Sequence, residues 1–212
     1  MIKQERFSLP KEGIKMSSQS LYMEPQRVLS SAKGSFIIEM KDSETGEVLY
    51  RLEKDNVITL DAGVLAAILF ANRNTTRGLY MLAVGTGATG DLLAPDAPDP
   101  RQRGLNAEIA RKTFSGVQYR KADGTVSPVP TNVADFTTSF GSGEAVGPLN
   151  EMGLVSPLSE NPLVTNPIGA VFPTYDPEVD LLEFDILVNY LTFGVITKPA
   201  TAILTITWRL TF

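Results

Sequence analysis

The sequence predicts a mainly β protein: an antiparallel β-sandwich of jelly-roll type with one short buried helix. Short runs of β-branched and aromatic residues recur along the 212 residues, separated by Gly, Pro and Asp, which is typical of all-β domains. From Leu204 onward, the last run alternates between apolar and polar or charged positions. Only one stretch has the composition of a helix. We expect the β-sandwich to occupy residues 34–212, preceded by an extended N-terminal arm over residues 1–33.

The proposed arm is mixed in composition and weakly periodic. Pro10, Gly13 and Pro25 interrupt regular structure. A disordered leader is one interpretation of this segment. The other is an arm that lies on a neighbouring subunit, which its apolar residues Leu21, Tyr22, Met23, Val28 and Leu29 favour.

A hairpin and the helix follow the arm. Strand-like runs at 35–41 and 47–52 flank the loop Asp42–Gly46, and a glycine in a short polar loop is a good hairpin signal. Asp61 is placed to cap a helix over Val64–Ala71 by accepting hydrogen bonds from its first free amides. That stretch is apolar nearly all round, so it predicts a buried helix.

The rest of the chain reads as strands joined by loops. Leu79–Val84 predicts a strand, 85–103 a long polar loop, and Leu105–Thr113 either a short helix or an irregular strand. Further strands are predicted at 114–121, 133–140 and 150–155, then a proline-bearing loop over 156–177, then two final strands at 184–195 and 202–212.

The final strand carries the clearest pattern. Leu204, Ile206, Trp208, Leu210 and Phe212 alternate with a more polar set, so they share one face of a strand. A terminal strand needs a sheet to receive its backbone hydrogen-bonding groups. We therefore expect Trp208 to be a core residue rather than a platform for a ligand.

Composition excludes several classes of function. The chain has no cysteine and no histidine, so disulfides, thiol catalysis and the commonest general base are ruled out. The net charge of −5 gives no electrostatic footprint for nucleic acid, and we expect no sequence-specific nucleic-acid partner. The start of the sequence does not resemble a signal peptide, and no stretch is long enough for a membrane helix. We expect folding in a cytoplasm and no membrane partner.

A glycine motif after a predicted strand suggests nucleotide binding at first sight. Gly85, Gly87 and Gly90 match G-x-G-x-x-G, but the pyrophosphate site of such folds requires a helix after the last glycine. Prolines at 95, 98 and 100 prevent that helix, and Asp91 brings a negative charge. We interpret the motif as a flexible turn.

Acidic residues occur in two groups, Asp91, Asp96 and Asp99 in one loop and Asp176, Glu178 and Asp180 in another. Carboxylates at such spacing suit calcium, and a carboxylate pair can hydrolyse a glycosidic bond. Neither group matches an EF-hand loop, and a solvated loop is the simpler interpretation.

Serine catalysis without histidine leaves only a Ser–Lys arrangement. Ser142 lies between Gly141 and Gly143 but lacks the spacing of a nucleophile elbow. The middle of the chain is locally basic, and we interpret its basic residues as surface charge or salt bridges between subunits: Arg101, Arg103, Arg111, Lys112, Arg120 and Lys121. The sequence thus predicts no catalytic, cofactor-binding or metal-ligating residue and no cofactor.

Several short sequence motifs follow one another in an order that resembles that of small virion structural proteins of tailed bacteriophages, of the tail, fibre-attachment or minor structural type. The resemblance spans residues 55–212 and comprises Asn56–Thr59 with Asp61–Gly63, Leu82–Gly87, Leu105 with Glu108 and Arg111–Lys112, Asn150–Leu154, Phe193–Pro199, and Leu204–Phe212. It implies a β-rich domain that assembles in copies within a virion and has no catalytic residues.

The resulting expectation is a non-enzymatic structural component of a tailed-phage virion, in its tail, baseplate or neck. Its partners are copies of itself and other virion proteins, with no small-molecule substrate, and it is assembled in the host cytoplasm. The alternative is a β-sandwich module that binds a receptor or glycan through its loops. A third hypothesis is an enzyme that uses carboxylates alone.

Overall fold

A computed structural model describes residues 32–70, 78–156 and 185–212. Within them the protein is mainly β, as predicted, with one short helix. The elements are β1 (Lys33–Asp42), β2 (Val48–Ile58), α1 (Asp61–Phe70), β3 (Met81–Gly85), β4 (Glu108–Thr113), β5 (Gly116–Arg120), β6 (Val126–Ser127), β7 (Val133–Phe140), β8 (Gly147–Ser156), β9 (Ile186–Lys198) and β10 (Ala202–Thr211).

All ten strands belong to one antiparallel sheet, in the order β4-β3-β8-β9-β2-β1-β10-β7-β5-β6. β2 is the strand that joins its two halves. Most of β2 pairs with β1, ending at Asn56 opposite Gly34, and its last residues pair instead with β9, where Val57 lies opposite Tyr190. A strand that changes partners in this way makes a corner between two parts of a sheet.

One hydrophobic core collects side chains from both halves of the sheet. Phe36 and Trp208 come from β1 and β10, whereas Leu82, Leu154 and Leu191 come from β3, β8 and β9. The sheet therefore bends so that its two halves face each other, which is compatible with the predicted sandwich. The Phe36 and Trp208 rings lie 6.0 Å apart at their centroids, and Trp208 is a core residue, as predicted.

The last strand is an inner strand of the sheet, as its pattern predicts. β10 pairs along its whole length with β1 on one side and from Leu204 onward with β7 on the other. Leu204, Ile206, Trp208 and Leu210 are buried, whereas the alternate Ile203 is 37% exposed. The N-terminal hairpin is also confirmed: β1 and β2 pair across a turn in which Gly46 has a φ of 73°, a value that favours glycine.

The prediction that the helix is buried is wrong. α1 is only partly buried: Ala62 and Leu65 are inside, whereas Phe70 is 89% exposed. The reason is that one side of the helix packs on β9 and the other side has no described element to cover it. Asp61 does begin the helix, but its buried carboxylate pairs with Arg103, the Nε–Oδ2 distance being 3.2 Å.

The structure resolves one ambiguity and leaves other predictions outside its described residues. The stretch predicted as helix or strand at Leu105–Thr113 contains strand β4, and the loop after β5 holds the two-residue strand β6. The extended arm lies outside the described residues up to position 31, and so do most of the 156–177 loop and the acidic group of Asp176, Glu178 and Asp180.

Candidate functional site

An apolar groove, a cavity of about 250 Å³, lies at the end of β10. This groove lies between α1 and the sheet. Its residues are almost all apolar: Ala32, Lys33, Ile58, Ala62, Leu65, Ala66, Leu69, Leu79, Phe136, Val188, Leu210, Thr211 and Phe212. Since it is smaller than the roughly 300–1,000 Å³ typical of drug-sized ligands, it suits a few side chains better than a large small molecule.

The groove exists because β2 changes partners. When β2 leaves β1 to join β9, its Ile58 comes beside Val188, and the chain then turns into α1. Thr59 fixes this turn, because its amide donates to the Val188 carbonyl at 3.0 Å and its hydroxyl to the same strand. The helix is thus held over β9, and a gap remains between α1 and the end of β10.

The rim of the groove exposes large apolar side chains. Phe70 is 89% exposed, Phe212 is 60% exposed and Leu69 is 46% exposed. Leu69 and Phe212 line the groove itself, and Phe70 follows Leu69 at the end of α1. Contiguous apolar surface with a polar surround marks interaction sites in soluble proteins. The sequence placed Leu69 and Phe70 in a buried helix and Phe212 on the same strand face as Trp208. Those expectations are wrong for these three side chains, because β10 ends at Thr211 and the end of α1 has no described element over it.

The glycine motif is explained by a buried carboxylate. Glu151 on β8 is fully buried and accepts hydrogen bonds from the amides of Gly87 at 2.9 Å, Asn106 at 3.0 Å and Ala107 at 2.8 Å. The Tyr190 hydroxyl donates a fourth at 2.8 Å. Burial, followed by the neighbouring Glu151 charge, raises the pKa of Tyr190 and keeps this phenol a donor.

The Ala107 backbone and the same carboxylate together require glycine at two positions. A Cβ on Gly87 would lie 2.4 Å from the Ala107 nitrogen and 2.6 Å from Glu151 Oε1, and a Cβ on Gly85 would lie 2.5 Å from the Ala107 carbonyl oxygen and 2.6 Å from Glu151 Oε1. No helix follows Gly90, so the arrangement that holds a pyrophosphate in dinucleotide folds is not formed here. The motif is a turn, as predicted, but a turn held in place by Glu151 rather than a flexible one.

The loop after this turn is attached to β9 along its length. The Val195 amide donates to the Leu92 carbonyl at 2.7 Å, and the Thr192 hydroxyl donates to the Asp96 carbonyl at 2.7 Å. This loop presents Leu92 and Leu93 to solvent, 65% and 79% exposed. We call these two residues the leucine pair. They form a second exposed apolar feature on a fixed backbone.

The three aspartates of this loop stabilise its backbone conformation through hydrogen bonds. Asp91 accepts a hydrogen bond from the Leu93 amide at 2.7 Å, and Asp99 accepts one from the Arg101 amide at 2.8 Å. Asp96 contributes its backbone groups. Across 32–70, 78–156 and 185–212 there is no group of three acidic residues placed to hold a metal ion.

Several basic residues predicted to be surface charges are buried inside the chain. Arg111 is held by Glu108, with Nη2 2.8 Å from Oε2, and by Asp185. Arg103 pairs with Asp61. The prediction is wrong for these two arginines, because long-range partners balance their charge within the core, which the local sequence does not reveal.

Arg120 and Lys112, from the same basic group, lie nearer the surface and also pair within the chain. Arg120 and Arg209 both contact the carboxylate of Asp135, each with an N–O distance of 2.7 Å. Burial works against ionisation of Asp135, but the hydrogen bonds and charges of these two arginines prevail and lower its pKa. Lys112 pairs with the exposed Glu144 at 2.6 Å.

Lys198 lies beside the Ser142 loop. Its side chain is fully buried, and Nζ donates to the Gly141 carbonyl at 2.9 Å. Burial lowers the pKa of Lys198, and the nearby Glu144 charge opposes that effect. The ammonium therefore supports the loop backbone, and Ser142 is exposed on its outer side.

No helix in the described part of the chain is long and apolar enough to cross a membrane. No protein-family model matches the chain, and no curated protein matches it. The site must therefore be interpreted from its own chemistry. Its features are an apolar groove with aromatic residues at its rim and a second exposed apolar pair on a loop bonded to β9.

Proposed function

We propose that this protein is a non-enzymatic structural component of a tailed-phage virion, in its tail, baseplate or neck. It acts by assembling with copies of itself and with other virion proteins. The observation that carries the proposal is the apolar groove with its exposed rim at Phe70 and Phe212. The assignment to a phage particle rests on the order of short sequence motifs over residues 55–212, which resembles that of small virion structural proteins.

Burying the exposed rim of the groove in a protein interface would lower the free energy. Burying a fully exposed side chain the size of Phe contributes about 1.5–3 kcal/mol. Since about 1.4 kcal/mol changes an affinity tenfold, Phe70 alone would strengthen a contact by one to two orders of magnitude. In a closed assembly the same contact repeats in every copy, so the stabilising free energy of a modest interface is multiplied by the number of copies.

The mechanism is geometric. The bent sheet with its shared core supplies a rigid frame. The groove and the leucine pair are held by that frame at fixed positions, the leucine pair through the bonds of its loop to β9. Two apolar surfaces at fixed positions on one body are suited to contacts with two different neighbours.

Quantitative mass spectrometry of intact particles tests the proposal. We expect this chain in purified virions, at a constant ratio to the major capsid protein that fits the symmetry of a tail or neck. Its absence from washed particles would contradict the proposal. A monomer that binds glycans or host receptors on an array would instead support the alternative, a receptor- or glycan-binding module.

A further inference from the structure

We propose that the groove receives the apolar segment Leu21–Met23 from a second copy of this chain. Each copy would then donate an N-terminal segment and accept one. The inference rests on the proposed assembly function and names the partner of its site. It is argued from the position of Ala32, from the length of chain before that residue, and from the chemistry of the groove.

The chain enters the described body at the mouth of the groove. Ala32 and Lys33 line it, and Lys33 lies opposite Thr211 at the first pair of β1 with β10. Residues 1–31 therefore start from the rim of the cavity.

The extended length of the chain before Ala32 determines which part of residues 1–31 can contact a neighbouring copy. An extended chain covers at most about 3.3–3.6 Å per residue. Met23 lies nine residues before Ala32, which gives a reach of about 30 Å, and Leu21 reaches about 36–40 Å. The remaining 181 residues correspond to a body about 40 Å across, from a radius of gyration of about 16 Å. The triplet therefore reaches about one body width, as far as the next copy.

The residues closer to the groove have a shorter range. Val28 and Leu29 lie only four and three residues before Ala32, so they reach about 10–14 Å and stay beside their own copy. This difference is why the inference assigns Leu21–Met23, rather than Val28 and Leu29, to the neighbour.

The triplet fits the chemistry of the groove. Leu21 and Met23 are two residues apart, so in an extended segment they point to the same side. The walls on α1 include the small residues Ala62 and Ala66, which leave room for larger side chains to enter. Methionine adapts to irregular apolar surfaces because its unbranched side chain is flexible.

Charge also favours a second copy as the partner. Residues 1–31 contain five basic and three acidic residues, whereas residues 32–212 contain 14 basic and 21 acidic residues. The segment and the body therefore carry net charges of opposite sign, which attract one another at long range. Because the segment and the groove are different surfaces, copies can either pass the segment around a closed ring or exchange segments within a two-fold pair.

Cross-linking tests the inference directly, because the chain has no cysteine of its own. Two full-length variants, M23C and L69C, are purified separately, mixed and oxidised. Leu69 lines the groove and is 46% exposed. A67C on the same helix is the matched control, since Ala67 is exposed but does not line the groove. We expect at least about tenfold more disulfide-linked M23C–L69C dimer than M23C–A67C dimer.

A second pair of variants tests the contact without oxidation. A66E places a charge in the groove, and A67E places the same charge beside it on α1. We expect A66E to lose the oligomer that wild type and A67E form, as measured by native mass spectrometry with unchanged circular dichroism. Mixing A66E with a variant carrying L21D and M23D should restore a one-to-one pair, because one supplies the segment and the other the groove.

Defined results overturn the inference. A double variant, M23C and L69C in one chain, that cross-links only within itself would show that the groove takes its own segment. An oligomer unaffected by A66E would place the contact elsewhere. Either result leaves the proposed function standing if the protein is found in virions, whereas absence from virions refutes the function regardless of the cross-link.

Discussion

Replacing Glu151 by glutamine tests the most unusual internal feature of the protein. The Glu151 carboxylate is fully buried, and each oxygen accepts two hydrogen bonds. Oε1 accepts from the amides of Gly87 and Ala107, and Oε2 accepts from the Asn106 amide and the Tyr190 hydroxyl. The substitution keeps the shape of the side chain and replaces one acceptor by a donor.

The magnitude follows from counting these bonds. The glutamine oxygen can keep the two amides of Gly87 and Ala107, and the Tyr190 hydroxyl can turn to accept from the new NH₂ group. The Asn106 amide then faces a donor and loses its partner. A hydrogen bond to a charged group contributes about 1.5–3 kcal/mol. The neutral side chain recovers part of the desolvation cost of the carboxylate, so we expect E151Q to lower the free energy of unfolding by about 2–3 kcal/mol.

Urea denaturation followed by circular dichroism measures this loss, and E44Q is the matched control. Glu44 lies exposed in the β1–β2 turn, so the same chemical change there should alter stability by less than about 0.5 kcal/mol. Amide hydrogen exchange should also speed up at Asn106 in E151Q. A loss below about 1 kcal/mol, or equal to that of E44Q, would refute the assignment of Glu151 as the group that holds this turn.

Three other predictions concern the same frame. G87A should destabilise the fold by at least about 2 kcal/mol in urea titrations, because its Cβ would lie 2.6 Å from Glu151 Oε1, whereas G116A, with nothing within 4 Å, should be neutral. The folded-state pKa of Asp135 is lowered, so its ion pairs stabilise the fold above its ordinary pKa, and this stabilisation is lost as pH falls through the folded value. D135N should therefore lose less stability than wild type between about pH 6 and pH 3. An equal loss in both proteins would contradict the pairing. Removing residues 203–212 should abolish cooperative thermal unfolding, because β10 is an inner strand, and a cooperatively melting product would contradict that role.

Local patterns predicted the parts of the fold that local physics determines. The alternation at Leu204, Ile206 and Leu210 is a property of a strand with one buried face, and the hairpin turn at Gly46 is fixed by its backbone conformation. The strand and the hairpin turn can therefore both be predicted from the sequence alone. The strand β4 was ambiguous because its residues, such as Arg111 and Lys112, lack the apolar alternation that distinguishes a strand from a helix.

The candidate site depends on contacts between distant residues, which single-sequence patterns do not contain. The burial of α1 was overestimated because an apolar helix can be left uncovered on one side, and only the tertiary structure shows Phe70 exposed. Glu151 bonds to residues 64 and 45 positions away. A glutamate within the predicted strand at 150–155 was the signal that could have indicated a buried carboxylate and hence a donor-rich partner such as the turn at Gly87.

The pairing of β1 with β10 has a consequence for how the protein is made. Lys33 lies opposite Thr211, so β1 must wait for β10, which is synthesised long after it. Long-range pairings of this kind form slowly, and the unpaired edges they leave are prone to aggregate. On the ribosome, one edge of β1 and one edge of β7 would stay open until β10 emerges. We therefore expect chaperone demand, and losses to inclusion bodies, to be set by this late closing step.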